Sequence, residues 1–481
     1  MTTSSAITSS AGDSSIDSAV VSTRPNGPNV TARRWRVSAV IGTHFVIDAF
    51  SFMIIAMIPS LVVMLDIPTH QKALLLGVGS VTSGLVQPVV AWISDRFDTR
   101  VFGTIGFLVA VLAISNIGYA QSFTQLMILF GIGAAGVGAY HPPAAAAIGQ
   151  LAGAKRSRYL AIFFLAGMLG GMVGNVFTPR YVAALSIGSN GSIDTRSGLL
   201  AMRWFILPGL ISAVVITLAI RKVGHRSVGA TGVHSAWSNE EKRARWRAVG
   251  LLYISNMMRF SVNMALVYLF TEWASAHVLR DSGAGVMTES LASRASELNG
   301  ILQAAMQIGM GGLGLVLGFV LSARFEKTVF WVIPTLGAFA VLGITLADAV
   351  SPEFAIAVAV VGSVLAGAGF GACVPISMGV AQRMLPHRTS LASGLMLGGA
   401  WAFAFVGPLL AELVQNGLLA KGNAPRWAIS SAESLPKGIG RPLLDGMGLD
   451  AGFIFTAVLL FLAGLITLGL PRELMRRTHQ D

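Results

Sequence analysis

Charge is scarce in this chain. Only 12% of its 481 residues are Asp, Glu, Lys or Arg, about half the share found in a soluble domain. The net charge is +12, yet the basic residues form no single block of the kind that grips nucleic acid. Cysteine is almost absent. The one thiol, Cys373, excludes an intrachain disulfide and a paired-cysteine metal site, and its apolar setting marks it as a packing residue. No glycine-rich loop ending in Lys-Ser or Lys-Thr occurs, which argues against direct use of ATP. Gly131, Gly133 and Gly136 match a dinucleotide fingerprint in spacing, but no strand pattern surrounds them, and small residues so spaced suit close helix packing in a membrane.

What fills the chain is apolar sequence: 54% of residues are hydrophobic and 55 are glycine. Twelve stretches of bilayer-spanning length are expected, at about 37–65, 72–94, 101–120, 124–150, 159–185, 201–220, 248–271, 298–321, 328–347, 354–381, 390–414 and 451–471. The fold class expected is an all-α integral membrane protein. Residues 1–35 read as a disordered tail rich in Ser, Thr, Gly and Pro. Arg33, Arg34 and Arg36 then lead into an apolar run too long for a signal peptide, so it reads as a retained first helix.

Counted over the alternating connections, 23 Lys and Arg fall on one side and 9 on the other, which assigns both termini and the 221–247 linker to the cytoplasm. That linker separates two six-helix halves, 36–220 and 248–471, with a short tail at 472–481. The halves repeat each other. Ser94 to Phe102 matches Ser322 to Phe330, and Gly138-Ala-Tyr-His-Pro142 matches Gly371-Ala-Cys-Val-Pro375. Two parallel halves with a site at their interface are one known transporter plan.

Ionisable residues inside apolar stretches are the candidate machinery, because a buried charge costs about 2.5–3.5 kcal/mol on insertion scales and wants a reason. His44 and Asp48 are four apart in the first stretch and share one helix face, a plausible proton-binding pair or else a polar contact between helices. Arg259 lies as deep in the seventh stretch as Asp48 does in the first. It could bind an anionic substrate through its planar fork, neutralise Asp48, or lie at a lipid edge. His141 precedes Pro142 and Pro143, where a helix hydrogen bond is lost and a carbonyl freed near the depth of Asp48. Asn256, Asn263, Gln303 and Gln307 are further substrate candidates, although amides also join helices.

The chain resembles the major facilitator superfamily, and within it the fosmidomycin-resistance branch of bacterial efflux transporters. The resemblance spans about residues 36–480 and rests on Gln87-Pro88 with Ala91-Trp-Ile-Ser-Asp95-Arg96-Phe-Asp-Thr-Arg100. Further matches are the His44 to Asp48 pair, Tyr140-His141-Pro142, Gly170-Gly171-x-x-Gly174 and His387-Arg388 before Leu391-Ala-Ser-Gly394. Met172 stands where the antiporter motif has proline. The resemblance implies two pseudo-symmetric bundles, helices 1, 4, 7 and 10 around a central cavity, and a monomer in the bacterial inner membrane. It also implies a gate at Asp95, Arg96 and Arg100, with the acid meeting a helix 11 start capped by Thr389 or Ser390. Arg324 belongs to the second-half copy of that gate, where Ala323 replaces the acid.

The function expected is proton-coupled export of a small amphipathic or anionic compound, with Arg259 and His141 on substrate and Asp48 with His44 on the proton. A proton-linked importer and a non-transporting sensor or scaffold are the alternatives. The partners expected are a small solute, protons and lipid; no enzyme activity, cofactor, metal or nucleic acid is implied. The 415–450 segment, too long for a simple connection, could form a lid.

Overall fold

The computed structural model describes residues 30–94, 100–152, 156–188, 193–221, 223, 237–422 and 424–475. Asp95 and Arg96 of the expected gate lie outside the described residues, as does the side chain of Arg100. Most of the described chain is helical, and its one backbone bridge joins Ile187 to Ile193.

The first half contains α1 (Val30–Ala56), α2 (Ile58–Met64), α3 (Thr69–Ser94), α4 (Arg100–Ser115), α5 (Phe123–Ala152), α6 (Arg156–Leu185), α7 (Thr195–Leu200) and α8 (Ile206–Ile220). The second begins with α9 (Asn239–Ser282), α10 (Glu289–Val320), α11 (Glu326–Ile344), α12 (Pro352–Gly371) and α13 (Cys373–Met384). It continues with α14 (Thr389–Gly394), α15 (Ala400–Ala402), α16 (Val406–Asn416), α17 (Arg426–Glu433), α18 (Lys437–Asp445) and α19 (Leu449–Ile466).

Ten of the resulting spans are long and apolar enough to cross a membrane. The short apolar helix α4 and the long α9 complete twelve crossings, two six-helix halves of an all-α membrane protein. The crossing expected at 248–271 is present in α9, which is more polar than those ten because it carries Asn256, Arg259 and Asn263 along with a charged first turn. It starts nine residues before the expected 248: Ser238 caps it by accepting the Glu241 amide, and Glu240 and Glu241 favour its positive end. Similarly α1 starts at Val30, inside the expected tail.

Three further expectations change in detail. Helix α5 runs unbroken through Pro142 and Pro143. The eleventh crossing is assembled from α14, a π-helical turn at Leu395–Gly399, α15 and α16, and α14 begins at Thr389 with Arg388 in the cap position, ahead of the expected cap. The 415–450 connection folds into α17 and α18, packed together where Gly440 meets the Ala432 carbonyl.

The halves are built alike where glycine lets backbones touch. Gly170 and Gly174 of α6 lie on the α1 backbone at Phe45 and Ala49, and Gly407 of α16 lies on the α9 backbone at Ser261. The fifth helix of each half therefore seats on its first. Between halves, α6 packs along α10, and α3 packs against the π turn and α15, with Gly398 set between Gln87 and Pro88.

Side-chain bonds between the halves gather at the end of the bundle away from the 221–247 linker. Lys72 Nζ meets Glu272 Oε1 at 2.6 Å, the Ser60 and Ser296 hydroxyls are 2.8 Å apart, and Asn299 donates to the Ile55 carbonyl at 2.9 Å. At the linker end, Arg245 ties α9 to the end of α13 by donating to the Arg383 and Met384 carbonyls, while Glu241 accepts from it at 2.8 Å and the Trp237 ring lies under it. Arg383 in turn pairs with Glu326 at 2.7 Å. The second-half copy of the gate motif thus carries its own acid, one turn into the motif, engaged within its own half.

Candidate functional site

Asp48 is the centre of the polar cluster. Its Oδ2 lies 3.5 Å from His44 Nε2 and its Oδ1 lies 3.3 Å from His141 Nε2. The residues come from α1 and α5, and all three are enclosed by protein, with His141 the most accessible at 24% of its side chain. His44 and Asp48 meet because four residues advance the helix by about 6 Å and one turn. His141 joins them because α5 crosses α1 at the same depth, where the Tyr140 hydroxyl lies 3.0 Å from Thr43.

The second ring nitrogen of each histidine is fixed by a carbonyl. His44 Nδ1 lies 2.6 Å from the Phe163 carbonyl on α6, and His141 Nδ1 lies 2.7 Å from the Val137 carbonyl. A carbonyl only accepts, so both Nδ1 atoms carry hydrogen and both Nε2 atoms turn towards the carboxylate. With neutral rings and an ionised Asp48, acceptor would face acceptor across both lines. A proton held between Nε2 and Oδ on each line would remove that conflict. Phe163 also stacks on His44, with ring centroids 3.7 Å apart, and locks its plane.

Gly167 of α6 completes the enclosure. A methyl group there would meet Asp48 Oδ2 and lie 2.9 Å from His44 Nε2. The three ligand-capable atoms lie within 4.8 Å of one another, close enough for one metal ion to reach all three. Protons shared along the two nitrogen–oxygen lines would satisfy the same atoms.

Arg259 lies elsewhere. Its guanidinium is fully buried, donates to the Phe330 carbonyl at 2.9 Å and to Asn256 Oδ1 at 3.3 Å, and faces the Phe330 ring. Neither ion pair of Asp48 involves it. The alternative in which Arg259 neutralises Asp48 is not what the structure shows: Asp48 meets two histidines, and Arg259 turns towards α11. Equal depth fixes a residue's height in a helix, not its direction.

The amides divide in the same way. Asn256 is spent on Arg259, on Ser377 at 2.7 Å and on the Met396 carbonyl. Gln303 donates to Asn299 and to the Val267 carbonyl, and Asn263 reaches the Met310 sulfur. Gln307 has no hydrogen-bond partner at either amide atom among the described residues. Arg324 is exposed over the Phe325 ring.

Two residues that were not singled out from the sequence share this condition. Asn175 and Thr178 on α6 are completely buried, and their polar side-chain atoms also lack partners among the described residues. Each such group costs about 1–3 kcal/mol. Uncharged residues in an apolar stretch raise no alarm in sequence; only the seam between α6 and α10 exposes the cost.

The model of the Major Facilitator Superfamily matches residues 40–414. An uncharacterized MFS-type transporter of Bacillus subtilis (strain 168), YfnC, is 25% identical over 382 residues, covering 76% of this chain and 82% of the relative. The fosmidomycin resistance protein of Escherichia coli (strain K12) is 20% identical over 383 residues, covering 79% and 86%. Among solved structures, a bacterial homolog of the human lysosomal transporter Spinster, inward-facing and unoccupied, aligns with a TM-score of 0.64 at 17% identity over 94% of this chain and 99% of its own. A bacterial homologue of the human drug peptide transporters PepT1 and PepT2 aligns with a TM-score of 0.59 at 15% identity, over 93% and 99%.

Proposed function

The chain belongs to the Major Facilitator Superfamily of membrane transporters, and we propose that it is a proton-coupled exporter of a small amphipathic compound, acting by alternating access. The observation that carries the coupling is the arrangement of Asp48 between two Nε2 atoms whose partner nitrogens are already committed to carbonyls. A proton stabilises the closed arrangement of α1, α5 and α6. Losing it sets acceptor against acceptor, which favours separation of those helices and entry of water. Protonation and conformation are linked in this way without any other charged group.

Export is favoured over import by the similarity to the fosmidomycin resistance protein. We place the linker and both termini in the cytoplasm, following the basic-residue count. Solute binding belongs in the space between the halves, whereas Arg259, turned away and buried, holds α9 to α11. The test is proton movement in liposomes containing purified protein. Wild type should move protons when substrate is added, and Asp48→Asn, which cannot titrate but can hydrogen-bond, should bind substrate without moving protons. Undiminished proton movement in Asp48→Asn would remove the coupling role.

A further inference from the structure

The seam between α6 and α10 carries unpaired hydrogen-bonding groups that proton coupling does not use. Gln307 on α10 packs against Gly171 and Phe52, and both its amide atoms are unpartnered among the described residues. One turn further along α6, Asn175 is likewise unpartnered at both amide atoms, and its own carbonyl lies against Gly300 of α10; Thr178 follows with a free hydroxyl. These residues are at most 1% exposed. Gly171 is one turn from Gly167, the residue that touches Asp48 and His44, so the seam begins roughly 6 Å from the proton cluster along α6.

We propose that Gln307, Asn175 and Thr178 form the solute-recognition site of this transporter, and that it selects an uncharged donor-and-acceptor group such as an amide, hydroxamate or polyol. The proposal deepens the transport reading given above and rests on it. Two carboxamides and a hydroxyl present donors and acceptors together, matching a ligand that carries both. An anion would leave the acceptor oxygens unanswered, and a cation the donors. The neighbours at the seam, Phe52, Gly171, Met168 and Gly300, add apolar surface and no charge. Arg259, the cation suited to an anionic solute, is on α9 and donates through its terminal nitrogens to the Phe330 carbonyl and Asn256, with its Nε unpartnered among the described residues, and it contributes nothing to this seam. The groups are covered in this conformation because α6 and α10 are closed upon each other; parting of the halves would present them to one solution.

Position along α6 gives the site a role in coupling. A solute wedged at Gly171 and Asn175 separates α6 from α10 one turn from the helix face that seals Asp48. Binding and proton exchange thereby act on the same helix.

Thermal shift of purified protein tests this directly. The probes are chloramphenicol and a hydroxamate as uncharged donor–acceptor compounds, benzoate and phenylphosphonate as anions, and tetraphenylphosphonium as a cation. The uncharged probes should raise the Tm of wild type and of Asp48→Asn, and should bind at least tenfold more weakly to Asn175→Leu and Gln307→Met. These replacements are close in size and apolar, so the unliganded variants should match or exceed wild type in Tm. The proposal is overturned if no uncharged probe binds, if only charged probes bind, if binding survives both replacements, or if either replacement lowers the unliganded Tm. Failure of proton movement in Asp48→Asn with binding intact leaves this site standing; loss of binding in the seam variants with proton leak intact leaves the coupling cluster standing.

Discussion

A single missing methyl group decides whether Asp48 and its two histidines can assemble. Gly167→Ala would set a carbon into the space that Asp48 Oδ2 and His44 share, and neither can retreat, since His44 is stacked on Phe163 and bonded to its carbonyl. Solute-driven proton movement should fall at least tenfold, with Tm changed far less than activity. Gly312 is the control. Nothing lies within 4 Å of a methyl group there, and Gly312→Ala should leave transport unchanged and add about 0.5–1 kcal/mol of stability through helix propensity alone. Equal loss of proton movement in both variants would mean that α6 and α10 simply do not tolerate alanine. His44 and Asp48 were legible from their spacing, and His141 from its depth. Gly167, Asn175 and Thr178 were not, because what they do depends on the helix opposite. Arg259 was legible as a buried charge but not in its direction, which is set by how α9 is rotated against α11.

At the scale of elements, the Lys72–Glu272 pair fastens α3 to α9, with each side chain 12–13% exposed. Removing one partner strands a partly buried charge, a loss of up to about 3–5 kcal/mol when burial is complete. Glu272→Gln should therefore shift molecules towards separation of the halves at this end. The double change Lys72→Gln with Glu272→Gln should shift them less, because no charge is left behind. Spin labels at Gln121 and Asp281, both exposed, report on opposite halves at this end, and an unchanged distance distribution in Glu272→Gln would show that the pair does not govern closure. Helix existence and order were readable from apolar stretches, whereas the early start of α9 depended on the Ser238 cap. The π turn at Leu395–Gly399 had no sequence mark beyond glycine, yet it sits where Gly398 meets Gln87 and Pro88, the contact at which the eleventh crossing must bend around α3.

For the whole molecule, the uneven distribution of Lys and Arg predicts that Ser238 and Ser431 lie on opposite sides of the membrane. With Cys373→Ser as background, Ser431→Cys should react with an impermeant reagent in intact cells and Ser238→Cys only after lysis; the reverse pattern would invert the topology. Duplication was visible in the sequence as two short matched segments. In three dimensions it is a shared seating, Gly170 and Gly174 on α1 and Gly407 on α16 against α9. One matched segment, 138–142, lies inside α5 and its partner, 371–375, at the junction of α12 and α13, and the register that pairs them also pairs Gly174 with Gly407.

The 44 residues of α9 form a rod of about 66 Å at the helical rise, more than twice the roughly 30 Å of hydrocarbon it crosses. Such a rod is a lever. Glu272 is held near one end and Arg245 near the other, so a small tilt between the halves is magnified into travel at the tips; a 10° swing displaces one tip relative to the other by roughly 11 Å for a rod of that length. Trp237, stacked on Arg245 beside the linker-end tip, would ride on such a tilt, and with the other eight tryptophans replaced its fluorescence would follow that tip without an added dye.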